Sequence, residues 1–399
     1  MKTVLFVAYG SGHIKMVLPV AQALANGDKV KPLVLALTTA APVARAAGLE
    51  VIQFKDFVTA ADVDALQLGR QLVEEIEGLV DDPQESIAYL GLSMADLIDA
   101  VGAEQAEASY RKFGRQAFLP TKTLARILSR VAPDLVVATN SPRAERAAIL
   151  AARQQSIPSI CMVDLFAMDE VRWIGAPDYA DHVCVLNESV RTFLLNAGRR
   201  ADEVSVTGNP GFDVINSLAA RDQGRLLREK HCWRESRVIL WPNQTEPAFH
   251  PFDGRAGDST LPQRALDQVT RWVLSRHDSV LCIRHRAGQE PSAVSANPRI
   301  VYTGQNWPLA PLLHATDLVI TIGSTVGIEG HLAGCRLIQV TGSVFDDAMP
   351  LKRFGIADAV TCINRIPQEL DRWVGAPRLG ISASEPATDR VLSVLEKFI

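Results

Sequence analysis

The chain has 399 residues, of which 47% are hydrophobic and 22% are charged, and its formal net charge is −4. This length exceeds one ordinary hydrophobic core and predicts two domains of about 150–200 residues each. The composition excludes a disordered chain. The charge gives no reason to expect nucleic acid as a partner, and no apolar run approaches the ~20 residues of a membrane span.

Short apolar runs alternate with longer helical patterns along most of the chain. The predicted strands are residues 3–8, 31–37, 50–54, 135–138, 159–163, 182–186, 204–207, 238–241, 280–284, 299–302, 318–321, 337–340 and 359–361. The predicted helices are residues 16–26, 40–47, 142–155, 189–197, 261–276, 308–314, 326–333, 349–354, 366–374 and 386–399. Strands that are apolar throughout and alternate with helices indicate parallel sheets covered on both faces. We therefore predict an α/β protein with two doubly wound, Rossmann-like domains that face each other across a cleft.

The turn residues place the domain junction. Gly208-Asn209-Pro210-Gly211 breaks a strand and is typical of a turn or linker. The predicted domains are 1–207, which would bind an acceptor, and 208–385, and the helix 386–399 is expected to cross back onto the first domain. The opening MKTVLFVAYGSGH predicts a first strand and not a signal peptide, because its apolar run is too short.

A helical insertion, residues 57–131, interrupts the strand–helix rhythm. Residues 109–131 carry six basic side chains, no acidic ones, and interleaved Phe, Leu and Ile. Two interpretations stay open: a basic amphipathic surface that meets anionic lipid or a phosphorylated acceptor, or a helix with its apolar side in the core. The six scattered cysteines, none in a C-x-x-C pair, indicate a reducing cytoplasm. We expect a cytoplasmic protein, with peripheral contact to the inner face of the membrane under the first interpretation.

The first predicted strand ends in a glycine-rich turn, Gly10-Ser11-Gly12, followed by His13. Ligands of open α/β sheets bind at the carboxyl ends of the strands, and glycines let a substrate approach the backbone closely. A histidine there can act as a general base near neutral pH, although a lone histidine is as often structural. The third glycine of the dinucleotide fingerprint is missing, because position 15 is Lys15.

Polar side chains also follow four other predicted strands. They are Asn140 with Ser141, Asp164, Asn243 with Gln244, and His285 with Arg286. Each alone is weak evidence, but together they place polar groups on the same edge of both sheets. His285 and Arg286 suit a diphosphate. No clustered His and Cys or spaced carboxylates indicate a metal site, and the G-x-S-x-G and Walker A motifs are absent.

The most informative stretch is ITIGSTVGIEGHLAG, in which Gly323-Ser324-Thr325 links a strand to a helix that carries Glu329. The first backbone N–H groups of a helix lack intrahelical partners and attract anions, so this turn suits a phosphate or diphosphate. Glu329 could accept hydrogen bonds from sugar hydroxyls. The alternative is that Ser324 or Thr325 is only an N-cap and Glu329 a solvated residue.

Several segments together resemble the GT-B superfamily of nucleotide-sugar glycosyltransferases and the related UDP-N-acetylglucosamine 2-epimerases. The segments are AYGSGHIKMVLPVAQAL, which is similar to the opening of the peptidoglycan N-acetylglucosaminyltransferase and plant-type glucosyltransferases, VAPDLVVATNSPRAERAAILAARQQSIPSICMVD, DHVCVLNESVRTFLLNAGRRADEVSVTGNPGFDVI and HATDLVITIGSTVGIEGHLAGCRLIQV. The last is the most specific. The resemblance implies that Gly323, Ser324 and Thr325 hold a diphosphate and that Glu329 binds the ribose.

Departures from the epimerase pattern favour a transferase. WPNQTEPAFHPF stands where the epimerases have His-Arg-Arg-Glu-Asn, Glu329-Gly330-His331 replaces paired glutamates, and Asp164 replaces a catalytic Glu. We expect a metal-independent enzyme that moves a hexosyl or N-acetylhexosaminyl group from a nucleotide sugar, UDP-linked, to a hydroxyl of a glycan, glycolipid or small molecule in bacterial glycan or polysaccharide synthesis.

In the expected site, His13 or Asp164 is the base, and Gly323, Ser324, Thr325, Glu329, His285, Arg286, Asn243 and Gln244 bind the donor. Gly10, Ser11, Gly12, Asn140 and Ser141 line the acceptor side, and no cofactor is expected beyond the nucleotide-sugar substrate. Three alternatives remain: a 2-epimerase, a CDP-glycerol-type polyol phosphate transferase, and a non-catalytic GT-B binding subunit.

Overall fold

The computed structural model describes residues 1–75, 82–251, 253–285, 297–304, 306–381 and 385–399. The chain forms two compact units, Met1–Gly211 with Glu385–Ile399, and Phe212–Ser384. Each unit is built around one parallel sheet covered by helices. Among the described residues, no helix combines the length and apolarity needed to cross a membrane.

The first unit contains a parallel sheet whose seven described strands run in the order β3-β2-β1-β4-β5-β6-β7. These strands are Lys2–Ala8 (β1), Val30–Ala36 (β2), Glu50–Ile52 (β3), Leu135–Thr139 (β4), Ser159–Met162 (β5), His182–Val185 (β6) and Val204–Val206 (β7). The central strands are buried on both faces, which explains their unbroken apolar sequences. The order reverses between β1 and β4, so the carboxyl ends of these two strands mark the switch point where open α/β sheets bind ligands.

The helices of this unit lie between its strands in sequence. They are Gly12–Ala25 (α1), Ala40–Ala46 (α2), Val63–Glu74 (α3), Pro83–Val101 (α4), Ala103–Phe113 (α5), Thr121–Val131 (α6), Ala144–Gln154 (α7), Val171–Ile174 (α8) and Glu188–Asn196 (α9). Helices α3 to α6 belong to the predicted insertion 57–131, and the structure shows no strand in its described part.

The second unit contains a parallel sheet with the described strand order β10-β9-β8-β11-β12-β13. Its strands are Arg237–Pro242 (β8), Ser279–Arg284 (β9), Ile300–Thr303 (β10), Leu318–Thr321 (β11), Arg336–Val340 (β12) and Ala359–Thr361 (β13). Its helices are Leu218–Lys230 (α10), Leu261–Leu274 (α11), Leu309–Ala315 (α12), Thr325–Leu332 (α13) and Ile366–Trp373 (α14). The order here reverses between β8 and β11, which defines a second switch point. The predicted α/β class with two doubly wound sheets is confirmed.

The last helix, Ala387–Leu395 (α15), packs into the core of the first unit. Val391 and Leu395 are fully buried in the same cluster as Ile14 and Met16 of α1. Burial of this apolar face explains why a helix so far along the chain joins the first sheet.

Two sequence predictions about helices were wrong or incomplete. Residues 349–354 form turns instead of a helix, because the buried Gln339 side chain binds their backbone: its Nε2 donates to the carbonyl of Met349 (2.7 Å) and its Oε1 accepts from the N–H of Leu351 (3.0 Å). Helix α10 was not predicted. Its sequence LAARDQGRLLREK buries only small residues, Ala220 and Gly224, so its apolar periodicity is weak.

Three of the six basic side chains in segment 109–131 form ion pairs inside the first unit. Arg126 pairs with the largely buried Asp62 (2.8 Å), and Lys122 pairs with Asp99 (2.9 Å). The apolar side of α6, which includes Leu124 and Ile127, is fully buried. These contacts favour the interpretation of a helix with its apolar side in the core, and membrane contact stays a prediction.

The buried Glu85 gives the insertion a pH-dependent stability. Its carboxylate accepts hydrogen bonds from the N–H groups of Phe54 (3.2 Å) and Lys55 (3.0 Å), yet burial raises its pKa to about 7. Because the pKa in the folded state lies above the ordinary glutamate value of 4.5, the folded state binds the proton more tightly than the unfolded state. The contribution of Glu85 to stability is therefore complete below pH ~4.5 and is lost as the pH rises through ~7.

We expect Glu85→Gln to remove this dependence, because glutamine does not titrate. Between pH 4.5 and pH 8, the unfolding free energy of the wild type should fall by roughly 2–3 kcal/mol relative to that of the variant. Urea unfolding at several pH values measures it, and titration elsewhere cancels in the difference. A difference that is constant with pH would show that the pKa of Glu85 is the same in the folded and the unfolded state.

Candidate functional site

The turn after β1 is held in place by close packing. A Cβ atom on Gly10 would lie 1.9 Å from Thr39 Oγ1 and 3.1 Å from Thr39 Cβ, so a larger residue would require the Thr39 side chain to move. Ser11 has φ 60° and ψ −126°, an uncommon backbone conformation for a residue with a side chain. Gly12 has open space where a Cβ would stand. Of the three predicted acceptor-side residues in this turn, Gly10 is buried against Thr39, whereas Ser11 and Gly12 are exposed.

A buried carboxylate, Glu145 on α7, lies beneath this turn. Its Oε1 accepts hydrogen bonds from the N–H of Tyr9 (2.9 Å) and from Thr139 Oγ1 (3.4 Å). Its Oε2 is buried with no hydrogen-bond partner among the described residues. Burial raises the pKa of Glu145, and the neighbouring His13 is the strongest influence that opposes the rise. The structure thus brings together the turn, His13 and a carboxylate that the sequence analysis did not single out.

His13 is half-buried, and its Nδ1 is buried without a hydrogen-bond partner in the described part of the chain. The two groups form no hydrogen bond or ion pair with each other among the described residues, and the His13 charge acts on Glu145 only at longer range. One signal could have found Glu145: it is an acidic residue in an otherwise alanine-rich run that follows a strand end, AERAAILAA.

The residues after β4 and β5 contact each other. Asn140 Oδ1 accepts from the N–H of Asp164 (3.0 Å), and the carbonyl of Asp164 accepts from Asn209 Nδ2 (3.1 Å). The Asp164 carboxylate accepts from the N–H of Leu165 (2.7 Å). Asn140 and Ser141 are buried. The observed contacts of Asn140 and Asp164 hold the two loops together, with the Asp164 side chain partly exposed.

A second carboxyl group that the sequence analysis missed, Glu170, lies near Asp164. Burial, together with the charges of Asp164 and Asp169, raises the pKa of Glu170 to about 6, and His13 opposes the rise. A carboxyl group of this kind changes protonation near neutral pH, as an acid–base catalyst must. No simple sequence signal marks Glu170, because it precedes a helix of only four residues.

In the second unit, Gln244 bridges the switch point between β8 and β11. Its Oε1 accepts from Thr321 Oγ1 (3.1 Å) and from the N–H of Gly323 (3.4 Å). Thr321 Oγ1 accepts in turn from the N–H of Ser324 (3.1 Å). The structure thus joins Gln244 to the Gly323-Ser324-Thr325 turn, and Thr321 is an additional member of the cluster.

Ser324 is the N-cap of α13, and its Oγ accepts from the N–H of Val326 (3.3 Å). The structure therefore confirms that this serine caps the helix. Capping does not preclude an anion site, because the hydrogen bonds from the N–H of Val326 to Ser324 Oγ (3.3 Å) and from the N–H of Gly323 to Gln244 Oε1 (3.4 Å) are long and weak. Thr325 is exposed at the first helical position.

Glu329 is half-buried on α13 and interacts electrostatically with Arg284 at the end of β9. Burial lowers the pKa of Arg284, and the Glu329 carboxylate opposes that change. The Arg284 guanidinium donates to the carbonyls of Trp307 (2.8 Å) and Gly304 (3.3 Å). The sequence pattern predicts Arg284 only as the last residue of a strand, so its interaction with Glu329 emerges from the structure.

Two further predicted donor residues, Asn243 and His285, lie on the β9 side of β8. Asn243 Nδ2 lies 3.4 Å from His285 Nδ1, and the His285 ring packs edge-on against Tyr302 with centroids 5.6 Å apart. Arg286 lies outside the described residues. Glu246 fixes the loop after β12 through Ser343 Oγ and the N–H of Val344 (both 2.8 Å).

Solved structures similar to this chain over its full length carry the GT-B fold. They include MnaA from S. aureus in complex with UDP (11% identity, TM-score 0.59, 100% of this chain and 97% of that chain). The UDP-GlcNAc 2-epimerase of Methanocaldococcus jannaschii is similar at 12% identity (TM-score 0.59, 100% of both chains). MurG of Acinetobacter baumannii is similar at 17% identity (TM-score 0.56, 100% of both chains).

These likenesses show that the chain has the GT-B fold, as the sequence resemblance implied. Searches with protein-family models and against curated proteins returned no match. Among the described residues, no group of three or more His, Cys, Asp and Glu side chains could hold a metal ion.

Proposed function

We propose that this protein is a GT-B glycosyltransferase that uses a nucleotide sugar, with uridine as the proposed base. The observation that carries the proposal is the turn at the β8/β11 switch point, where Gln244 and Thr321 position the Ser324-capped start of α13. Helix N-termini at such points bind phosphate groups. Similar structures contain UDP or act on UDP-sugars, which supports uridine over other bases.

In the proposed donor site, the diphosphate lies at the start of α13, near Ser324 and Thr325. The helix dipole and backbone N–H groups stabilise the negative charge that grows on the leaving diphosphate. Glu329, held against Arg284, accepts hydrogen bonds from ribose hydroxyls. His285 and Asn243 are proposed to contact the donor from the β9 side, and Arg286 keeps its proposed role in donor binding.

In the proposed reaction, an acceptor oxygen attacks the anomeric carbon while the bond between that carbon and the diphosphate oxygen breaks. The bonding electron pair leaves with the diphosphate. His13 takes the proton of the acceptor hydroxyl, and Glu145 stabilises the resulting imidazolium. Asp164 is the alternative base, but its carboxylate already accepts a hydrogen bond from Leu165, which favours His13.

The experiment that tests donor binding is thermal unfolding with UDP, GDP, TDP, CDP and CMP. At about 100 times Kd a ligand adds roughly 2.7 kcal/mol to stability, which should raise Tm by several degrees. We expect UDP to raise Tm, and Ser324→Ala and Glu329→Gln each to weaken UDP binding about tenfold or more. The first change removes a hydroxyl at the diphosphate, and the second removes the negative charge that strengthens hydrogen bonds from the ribose hydroxyls.

Glu235→Gln, a change at an exposed residue of the same unit, is the matched control and should leave the UDP shift intact. The shift, not the absolute Tm, is compared, because loss of the Ser324 cap itself lowers stability by about 1 kcal/mol. If CDP or CMP gives the largest shift, uridine is wrong and transfer of a polyol phosphate becomes the better proposal. If no nucleotide shifts Tm, a non-catalytic role is favoured.

A 2-epimerase is the second candidate, because two carboxyl groups with raised pKa, Glu145 and Glu170, lie near His13 in the first unit. Such groups could remove and return a proton at C2 of the sugar. Incubation of UDP-GlcNAc in D2O without any acceptor separates the two functions. An epimerase incorporates deuterium at C2, whereas a transferase leaves the C2 hydrogen in place.

A further inference from the structure

The helical insertion brings aromatic side chains to the turn that follows β1. Tyr89 on α4 hydrogen-bonds through its hydroxyl to the hydroxyl of Tyr9, and their rings meet edge-on with centroids 6.1 Å apart. Phe54 and Phe118 pack edge-on against Tyr89, with centroids 5.2 and 6.3 Å away. All four rings are buried, so they form a rigid base beneath whatever lies at this edge of the sheet.

Arg143, the residue before α7, stacks on this base. Its Cζ atom lies 4.0 Å from the centroid of the Tyr9 ring, which is a cation–π distance. Its side chain forms no ion pair with the described residues, and its Nε is buried without a hydrogen-bond partner there. At the other end of α7, by contrast, Arg153 pairs with Asp178 (3.6 Å).

The nearby carboxylate of Glu145 is a poor counter-ion for Arg143. It is fully buried, one of its oxygens accepts from the N–H of Tyr9, and it forms no ion pair with Arg143 among the described residues. A guanidinium with a buried N–H that lacks a hydrogen-bond acceptor destabilises the folded protein unless an anion accepts that hydrogen bond.

A second arginine approaches the same aromatic base from the insertion. Arg115 is exposed on the short turn Gly114–Ala117, directly before Phe118. It forms no ion pair with the described residues, whereas Arg111 and Arg126 of the same segment pair with Glu107 and Asp62. The charges of both Arg143 and Arg115 act on Tyr89, so they contribute positive potential at one place.

We propose that Arg143, assisted by Arg115, binds an anionic group of the acceptor, a carboxylate or a phosphate, at the carboxyl edge of β1. This inference rests on the proposed transferase function, because it assigns the substrate class to the acceptor side of that reaction. The bidentate geometry of a guanidinium matches the paired oxygens of both groups. The acceptor is therefore a hydroxyl compound that carries a negative charge near the reacting oxygen.

The test measures binding of phenyl phosphate, benzoate and uncharged benzyl alcohol by ligand-observed NMR, with no nucleotide present. Phenyl phosphate or benzoate should bind wild type at least tenfold more tightly than benzyl alcohol does, and the tighter of the two identifies the anion. Arg143→Ala should weaken the preferred anion about tenfold or more and leave benzyl alcohol unchanged. Arg143→Lys, which keeps the positive charge but loses the bidentate guanidinium geometry, should give an intermediate loss of anion affinity.

Arg153→Ala, the same substitution at the paired end of the same helix, is the control and should change none of the affinities. Equal binding of the charged and uncharged probes, no binding of either anion, or an unchanged anion affinity in Arg143→Ala would overturn the proposal. UDP binding is measured in parallel on Arg143→Ala and should stay at the wild-type value. If the wild-type protein binds the anion but does not bind UDP, the transferase proposal is wrong and the anion site stands.

Discussion

Replacement of His13 by alanine is expected to lower kcat by about 10²–10⁴-fold and to leave UDP affinity unchanged. A positioned general base contributes about this factor, and the proposed donor site is built from residues of the second unit only. The loss should appear in kcat, because His13 accepts its proton as the acceptor attacks and not when the donor binds. Release of nucleoside diphosphate in the presence of the acceptor measures it.

Glu145→Gln tests the partner of His13. Glutamine can still accept a hydrogen bond from the N–H of Tyr9 through its carbonyl oxygen, so the turn should keep its shape, but the negative charge is lost. We expect kcat to fall by about 10–100-fold, less than for His13→Ala, since a positioning group acts through the base. Glu188→Gln, at an exposed position on α9, is the control.

For the prediction about His13, a loss of kcat below tenfold in His13→Ala would show that another group is the base.

Replacement of Gly91 by alanine is expected to destabilise the first unit by about 1–3 kcal/mol or more. Helices α3 and α4 meet backbone to backbone at two glycines: a Cβ on Gly91 would lie 2.0 Å from the carbonyl oxygen of Ala65, and one on Gly69 would lie 2.1 Å from that of Ile87. Backbone atoms cannot yield as a flexible side chain can, so the helices must separate. Urea unfolding followed by circular dichroism measures the loss.

The same substitution at Gly375, where a Cβ would meet no atom within 4 Å, is the matched control and should be neutral or slightly stabilising. Because Tyr89 lies two residues before Gly91 on α4, separation of the helices should also weaken the anion binding proposed for Arg143. An unchanged stability in Gly91→Ala would mean that the two helices pack less closely than described.

The sheets were predictable because their strands are buried on both faces and read as unbroken apolar runs between turns. The same logic failed where tertiary contacts decide the local structure. Residues 349–354 have a helix-like pattern, but Gln339 binds two of their backbone groups, and Pro350 offers no N–H. Helix α10 was missed because it is held by small residues: a Cβ on Gly224 would lie 2.4 Å from that of His314 on α12.

The candidate site was predictable only in part. The sequence indicated His13, Gln244 and Ser324, because glycine-rich turns and polar residues at strand ends have a physical reason to be there. It did not indicate Glu145 or Arg143. Their significance depends on which groups surround them after folding: a buried oxygen without a partner and a guanidinium stacked on an aromatic ring are properties of packing, and adjacent residues in sequence do not reveal them.

The central claim, that the turn at the start of α13 holds the diphosphate of a nucleotide sugar, is tested most directly by hydrogen exchange of the wild-type protein with and without saturating UDP. We predict slower exchange in peptides that cover residues 241–246 and 320–332. At a UDP concentration equal to the wild-type Kd, most of this protection should be lost in Ser324→Ala. Protection confined to the first unit, or no protection anywhere, would contradict it.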